Sequence, residues 1–555
     1  MKPSSHVDRF ARDHLPPFEQ WPELAFDLPS LRYPDRLNCV EVLLDRALLD
    51  VSPHKPAILY GDKSWSYGEL WSQVNRVARV LVQDLGVTPG SRVLLRAGNT
   101  PALFVCWLAV TKIGAIAVST PALLRARELR RIIDKARIGL ALCDQTLVQE
   151  LIAATAHSSR GSGDVPSGDS PLRIVTFGSS EAELECAART QAAHFRAFPT
   201  SQDDVCLIAF TSGTTGQPKA TVHFHRDILA ICATFATHML PGSRPGIFCG
   251  TPPIAFTFGL GALLAFPLHF RATIALPSDS TPAALGEAIG RHRATHVFTS
   301  PTGFRTLLAQ QGDHDLSTVK TCVSAGEHLN IETSDAWFDA TGVRIMDGIG
   351  STEMTHIFIS AAGEDIRPGS TGKPVPGYTV CLLDNEGQPI EGTDTGRLAV
   401  RGPTGCRYLA DERQREYVIN GWNVTGDLFR RDEDGYYWYV ARFDDMIISG
   451  GYNIAGPEVE ESLMLHPDVE ECAVVGWPDP LRGEIVKAVV VLRKGIVAGQ
   501  EWVKILQDHV KSTLAPYKYP RAFEFRTELP RTSTGKLQRS ALKYRSNPTA
   551  TDEHE

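Results

Sequence analysis

The stretch 208–240, IAFTSGTTGQPKATVHFHRDILAICATFATHML, decides how the rest of the chain is read. Its centre, Thr211–Lys219, holds four hydroxyl residues, two glycines and a lysine in nine positions. Such a loop leaves backbone N–H groups free to converge on an anion, its hydroxyls add donors, and Lys219 adds a point charge. The preceding IAF is strand-like and the following RDILAICATFATHML is helical, so the loop is expected where phosphate loops usually sit. The spacing Gly213, Gly216, Lys219 is not the GxxxxGK[ST] of P-loop nucleotidases. His223 and His225 would share one face of a strand, as a metal pair needs, but no third ligand of the right type lies nearby in sequence. The phosphate reading is preferred.

Outward from this loop, PAILY (56–60), SRVLLRA (91–97), AIAVST (115–120) and IGLALCD (138–144) read as strands. SYGELWSQVNRVARVLVQDL (66–85) reads as a helix from its spacing of Leu, Val and Ala. Strands alternating with helices predict an α/β fold of parallel sheets with flanking helices. Residues 155–170 are Ser/Gly-rich and predict a flexible surface insertion. Between about 367 and 408 short strands and Gly/Pro turns predict a β-barrel-like subdomain. Beyond Arg442 a small α+β unit is expected, with strands in ECAVVGW (471–477) and KAVVVLR (487–493) and a helix in EWVKILQDHVKSTL (501–514). The expected division is a large N-terminal domain, 1–441, and a small mobile C-terminal domain, 442–555.

A chain of 555 residues is too long for one core. Its 43% hydrophobic and 22% charged content is that of an ordinary globular protein, and a net charge of -8 gives no reason to expect nucleic acid or an anionic membrane as partner. Eleven scattered cysteines without a CxxC pair suggest free thiols in a reducing compartment. The charged, proline-interrupted opening MKPSSHVDRFARDHLPPFEQWPE is unlike a signal peptide, and the expected location is cytoplasmic.

With these elements in order, the sequence resembles the adenylate-forming superfamily of acyl- and aryl-CoA synthetases, luciferases and peptide-synthetase adenylation domains. Thr211, Ser212, Gly213, Thr214, Thr215, Gly216 and Lys219 match its phosphate-binding signature. SAGEHLN (324–330) is similar to the segment lining the adenine and acyl sites, which implies roles for Ala325, Gly326 and Glu327. GSTE (350–353) matches the motif in which Thr352 touches the α-phosphate and Glu353 holds Mg²⁺. Asp427 in TGD and Arg442 match the ribose-hydroxyl ligands. RFDDMIISGGYN (442–453) resembles the interdomain hinge, with Asp444 at the pivot and Gly450 and Gly451 on the coenzyme A side. PRTSTGKLQR (530–539) matches the C-terminal motif that makes Lys536 the catalytic lysine.

The chemistry suits these residue types. ATP is polyanionic, so an acid such as Glu353 is useful beside it only through a cation, and Mg²⁺ accepts carboxylate and phosphate oxygens together. Asp427 offers two acceptor oxygens to a diol. Lys536, in a Thr/Ser/Gly loop, has the reach to neutralise charge as a carboxylate attacks the α-phosphate. The resemblance implies two half-reactions: carboxylate and Mg-ATP give an acyl-adenylate and pyrophosphate, then the coenzyme A thiol displaces AMP.

The segment PPIAFTFGLG (252–261) is bulky and aromatic, favouring a flat ring over an alkyl chain. By the family's layout Phe256, Thr257, Phe258, Ala325, Gly350 and His356 border the acyl site. DGIGSTEMTHIFIS (347–360) and the segment 10–45 look like benzoate-type ligases, the latter most like 2-aminobenzoate-CoA ligases. Expected partners are an aromatic carboxylate (2-aminobenzoate, benzoate or salicylate), ATP and coenzyme A, with no nucleic acid or membrane; a homodimer is left open. The alternatives are an adenylating enzyme that loads a carrier-protein thiol, another acyl-CoA synthetase, and a silent nucleotide-binding protein.

Overall fold

The computed structural model describes all residues except 157–171, 212–217, 241, 243–245, 311, 385, 450–451, 480–481, 515–516, 532–536 and 544–555. The predicted surface insertion therefore lies almost wholly outside the described residues. The chain divides into two compact units, Met1–Cys381 with Ala399–Thr425, and Leu382–Leu398 with Gly426–Glu555. The second unit thus takes in strand residues ahead of the division expected at 442.

Two sheets build the first unit. One has six strands in the order Arg173–Phe177, Leu140–Asp144, Arg92–Arg96, Ile116–Thr120, Val205–Thr211, Lys219–Phe224. Its first five strands run parallel. Their apolar runs (LALC, VLL, IAV) are buried on both faces, as a covered parallel sheet demands. The helix Pro101–Lys112 is apolar on nearly every side and almost wholly buried. Its one buried cation, Lys112, donates to Asp45 Oδ1 and Asn75 Oδ1, both at 2.6 Å. The other sheet has nine strands, and its inner members Pro56–Tyr60, Thr273–Leu276, Ile247–Gly250, His296–Thr299, Thr321–Ala325 and Ile345–Gly350 are parallel.

One expectation is overturned here. The phosphate-type loop does not join a strand to a helix. It joins two antiparallel strands, with Thr211 paired to Lys219, and the helix His225–Ile231 starts only after the second of them. Alternation of Ala220, Val222 and Phe224 with polar neighbours marks that second strand, which begins at Lys219 rather than only at the histidines. No helix begins at Lys219, so no helix dipole stands behind that residue. The same strand ends the metal reading of the histidine pair, because His223 lies on the strand and His225 opens the helix.

Between Thr379 and Arg442 the chain forms a five-stranded sheet that stays open among the described residues, where a barrel-like unit was expected at 367–408. Gly/Pro turns report short strands but carry no information on closure. In the second unit, strands Val469–Asp479 and Gly483–Leu492 pair antiparallel along their length. Helices Gly456–Met464 and Gln500–Thr513 contribute Val459, Leu463, Leu506 and Val510 to its core, together with Val474, Val486 and Val490.

Candidate active site

Gly350 ends the strand Ile345–Gly350, and Ile357 begins the antiparallel strand Ile357–Ser360 opposite it. A Cβ at position 350 would stand 2.6 Å from the His356 carbonyl oxygen, so only glycine fits this close approach. The six residues between, Ser351–His356, form a hairpin loop that carries Thr352 and Glu353. Three hydrogen bonds brace it: Ser351 Oγ accepts from Met354 N at 3.2 Å, Thr352 O accepts from Thr355 N at 3.1 Å, and Thr404 Oγ1 donates to Met354 O at 2.8 Å.

Glu353 is only 8% exposed, and no cation pairs with it among the described residues. Its Oε1 accepts a 2.5 Å hydrogen bond from the Tyr408 hydroxyl. Burial, and then the Glu353 charge, push the Tyr408 phenol far above its ordinary value, so it stays a donor. A buried carboxylate with one neutral donor and no counter-charge is suited to a cation. Tyr408 comes from a segment that pairs with the loop strand: Val222 N donates to Arg407 O at 2.8 Å and Leu409 N to Ala220 O at 2.9 Å. The Lys219 ammonium lies 5.1 Å from the Tyr408 ring centroid and 6.0 Å from that of Tyr417. Lys219, Tyr408 and Glu353 thus form one group, brought together by pairing of segments almost two hundred residues apart.

The other expected residues fall in several places. Ala325 is buried at the end of Thr321–Ala325, paired with Gly348, and Gly326 follows with a positive φ of 90°. Glu327 is engaged structurally: its Oε2 accepts from Thr302 N at 3.2 Å and from Thr302 Oγ1 at 2.7 Å, at the start of helix Pro301–Ala309. Its side chain is therefore a helix-terminus ligand, favoured there by the helix dipole. The strands Trp422–Arg431 and Tyr437–Arg442 set Asp427 opposite Arg442, both in the second unit, and Arg442 Nη1 donates to Asp427 Oδ1 at 3.2 Å. Ser212, Gly213, Thr214, Thr215, Gly216, Gly450, Gly451 and Lys536 lie outside the described residues. Asp444 falls in the short 3-10 turn Phe443–Asp445.

The aromatic segment is clamped by a residue the sequence did not single out. Asn99 Nδ2 donates to Pro252 O at 3.0 Å and its Oδ1 accepts from Ile254 N at 3.0 Å. Phe256 precedes the helix Thr257–Leu260, which runs on through the wider turn Gly261–Ala265 into Phe266–Phe270. Pro267 has no N–H to continue the regular ladder, which accounts for the widened turn before it. Gly259 and Gly261 permit two close approaches: a Cβ would meet Pro253 O at 2.2 Å in the first case and the His356 ring at 2.5 Å in the second. Phe256 and Phe258 are half-buried. Thr257 is buried, and its hydroxyl makes no hydrogen bond to a described residue.

His356 is not a pocket-wall residue open to solvent. It is 1% exposed and caged by Phe266, Phe235 and Phe258 at centroid distances of 4.7, 4.9 and 5.7 Å. Burial pulls its pKa down to about 3, so the ring is neutral. The linkage sign follows. The unfolded imidazole takes up a proton near its ordinary value of about 6.5, whereas the folded one refuses it, so this residue's contribution to stability is lost as pH falls from there toward 3. Between pH 6 and 4 the wild type should lose up to about 1.4 kcal/mol per pH unit more than His356→Leu in urea unfolding. Parallel stability curves for the two proteins would contradict the buried neutral ring.

With this geometry in hand, comparison with known proteins is decisive. The family profile described as AMP-binding enzyme matches residues 46–408, and that of its C-terminal domain matches 458–536. The chain belongs to the AMP-binding enzyme family. It is 35% identical to a benzoate–CoA ligase of Thauera aromatica, covering 93% of this chain and 97% of that one. It superimposes on the crystal structure of the anthranilate CoA ligase AuaEII in complex with anthranoyl-AMP with a TM-score of 0.85 and 33% identity, covering 93% and 98% of the two chains. A benzoate CoA ligase structure from Burkholderia xenovorans LB400 gives 0.81 and 29%, covering 91% and 99%. This AMP-binding enzyme is accordingly an AMP-forming acid–CoA ligase, using ATP, Mg²⁺ and coenzyme A, and it is similar to benzoate-CoA ligases. Among its described residues no helix is long and apolar enough to cross a membrane.

Proposed function

We propose that the enzyme is an aryl-CoA ligase that activates an ortho-substituted benzoate, with 2-aminobenzoate first and salicylate next. The observation carrying this reading is the acyl-side segment: Phe256 and Phe258 flank a buried threonine whose hydroxyl has no partner among the described residues, with neutral His356 backing Phe258. Flat aromatic walls suit a ring, and a hydroxyl set between them can share a hydrogen bond with an ortho substituent. The likeness to the benzoate and anthranilate ligases supports the same substrate class.

In this reading the phosphate loop Thr211–Lys219 and Thr352 hold the triphosphate. Glu353 would hold Mg²⁺, which when bound screens the phosphate oxygens and polarises them for attack. Tyr408 keeps the Glu353 carboxylate oriented, and Lys219, over the Tyr408 ring, adds positive charge toward the phosphates. Asp427 accepts from the ribose hydroxyls. Lys536 neutralises the α-phosphate as the substrate carboxylate oxygen bonds to phosphorus and pyrophosphate leaves. The thiolate of coenzyme A then attacks the acyl carbon and AMP departs. Asp444 serves as the hinge and Gly450 and Gly451 leave room for the pantetheine arm.

Thr257→Ala tests the acyl-side assignment. It should erode the preference for 2-aminobenzoate over benzoate by roughly 0.5–1.5 kcal/mol in kcat/KM, the net worth of one hydrogen bond. An unchanged ranking of 2-aminobenzoate, salicylate and benzoate in the variant would remove Thr257 from the account.

A further inference from the structure

The loop Ser351–His356 must reverse the chain between the paired residues Gly350 and Ile357, and it does so through a left-handed residue, Thr355, with φ of 70°. Glycine or asparagine takes this conformation readily, whereas a branched β-carbon opposes it. Among the described residues of positive φ other than glycine, Arg137, Arg271 and Arg293 lie just past helix ends, Ala410 and Asn420 lie in turns, and Thr355 alone has a branched side chain. Something outside the loop has to hold it.

That something is His223. Its Nδ1 lies 3.0 Å from Thr355 Oγ1, and both side chains are fully buried. The same nitrogen is 3.8 Å from Asp227 Oδ2, and Nε2 has no partner among the described residues. An orphaned buried N–H is rarer than an orphaned lone pair, so the proton belongs on Nδ1 and is donated to Thr355. Asp227 is fixed in turn. Burial would raise its carboxyl, but the Arg407 guanidinium overrides burial and holds it below the usual carboxylate range. Phe224 N also donates to Asp227 Oδ2 at 3.0 Å. Arg407 and Tyr408 are adjacent, so one segment fixes Asp227 behind His223 and supplies the hydroxyl on Glu353.

We infer that His223 is a positioning residue for Glu353: by anchoring Thr355 in its left-handed conformation it sets the hairpin loop that aims the Glu353 carboxylate. The inference rests on the reading of Glu353 as the residue that holds Mg²⁺. The strand Lys219–Phe224 then serves the site twice, with Lys219 at its first residue and His223 four residues on.

Three variants test it, read by Mn²⁺ binding in the presence of ATP (paramagnetic resonance of the free ion) and by the Mg²⁺ dependence of pyrophosphate exchange. His223→Ala and the near-isosteric Thr355→Val should each weaken metal binding about 10- to 100-fold, the usual range for residues supporting a metal ligand. The double variant His223→Ala/Thr355→Gly should recover at least tenfold of the loss, since glycine adopts the left-handed conformation unaided. Thioester formation from supplied acyl-adenylate should change little in all three. Wild-type metal affinity in Thr355→Val, or a double variant as impaired as His223→Ala, would overturn the inference. If His223→Ala does not fold, Thr355→Val still decides. Failure of the underlying reading looks different: the wild type itself would show no metal-dependent exchange with any carboxylate.

Discussion

Lys536→Ala is expected to lose adenylate formation by on the order of 10²- to 10³-fold while converting supplied acyl-adenylate to thioester at close to the wild-type rate. The asymmetry is the informative part. In the first half-reaction negative charge accumulates on the α-phosphate as the carboxylate oxygen bonds to it, and a cation aimed there stabilises the transition state more than the ground state. In the second half-reaction the charge develops at the acyl carbonyl, where this lysine has no assigned part. Pyrophosphate exchange reads the first step and thioester absorbance the second. Equal damage to both would mean that the residue is structural, or that its charge serves the protein rather than the phosphate.

The second large effect concerns Glu353. Glu353→Gln keeps the size of the side chain and an oxygen to accept the Tyr408 hydroxyl, and removes only the charge. A direct charge–charge contact at about 4 Å and an effective dielectric constant of about 20 is worth roughly 4 kcal/mol. The Mg²⁺ concentration needed for half-maximal exchange should therefore rise on the order of 10²- to 10³-fold. Tyr408→Phe keeps the charge and removes the donor, so its effect should be smaller, about tenfold, and confined to the same Mg²⁺ dependence. If Glu353→Gln instead lowers the rate at saturating Mg²⁺ with no change in the requirement, the carboxylate acts on something other than the ion.

Much of this site was legible in the chain before any geometry. The density of hydroxyls and glycines around Lys219 points to a polyanion by residue type, whereas the roles expected of Glu353 and Lys536 came from the resemblance of their motifs to the family's. What was not legible depends on segments distant in sequence. No spacing rule brings Tyr408 onto Glu353, Asn99 onto the Pro252–Ile254 turn, or His223 beneath Thr355; each depends on side-chain contacts between segments distant in sequence. The strand read at His223 was not extended back to Lys219, so the loop was expected at a helix start, whereas Thr211 and Lys219 are paired strand residues. The resemblance put Glu327 in the segment lining the nucleotide site, but no spacing rule showed that its carboxylate accepts from Thr302 at a helix start. His356 was placed beside the acyl site by the family's layout, and three phenylalanines close around it.

The enzyme's central chemistry is what it does with a carboxylate. The direct measurement is coenzyme A-dependent AMP release across a panel of 2-aminobenzoate, salicylate, benzoate and a medium-chain fatty acid, with kcat/KM determined for each. The expected result is AMP formed in step with thioester, with 2-aminobenzoate and salicylate used at least as well as benzoate and the fatty acid used poorly, since Phe256 and Phe258 close the pocket against a chain. A clear preference for the fatty acid, or AMP release that does not depend on coenzyme A, would contradict it.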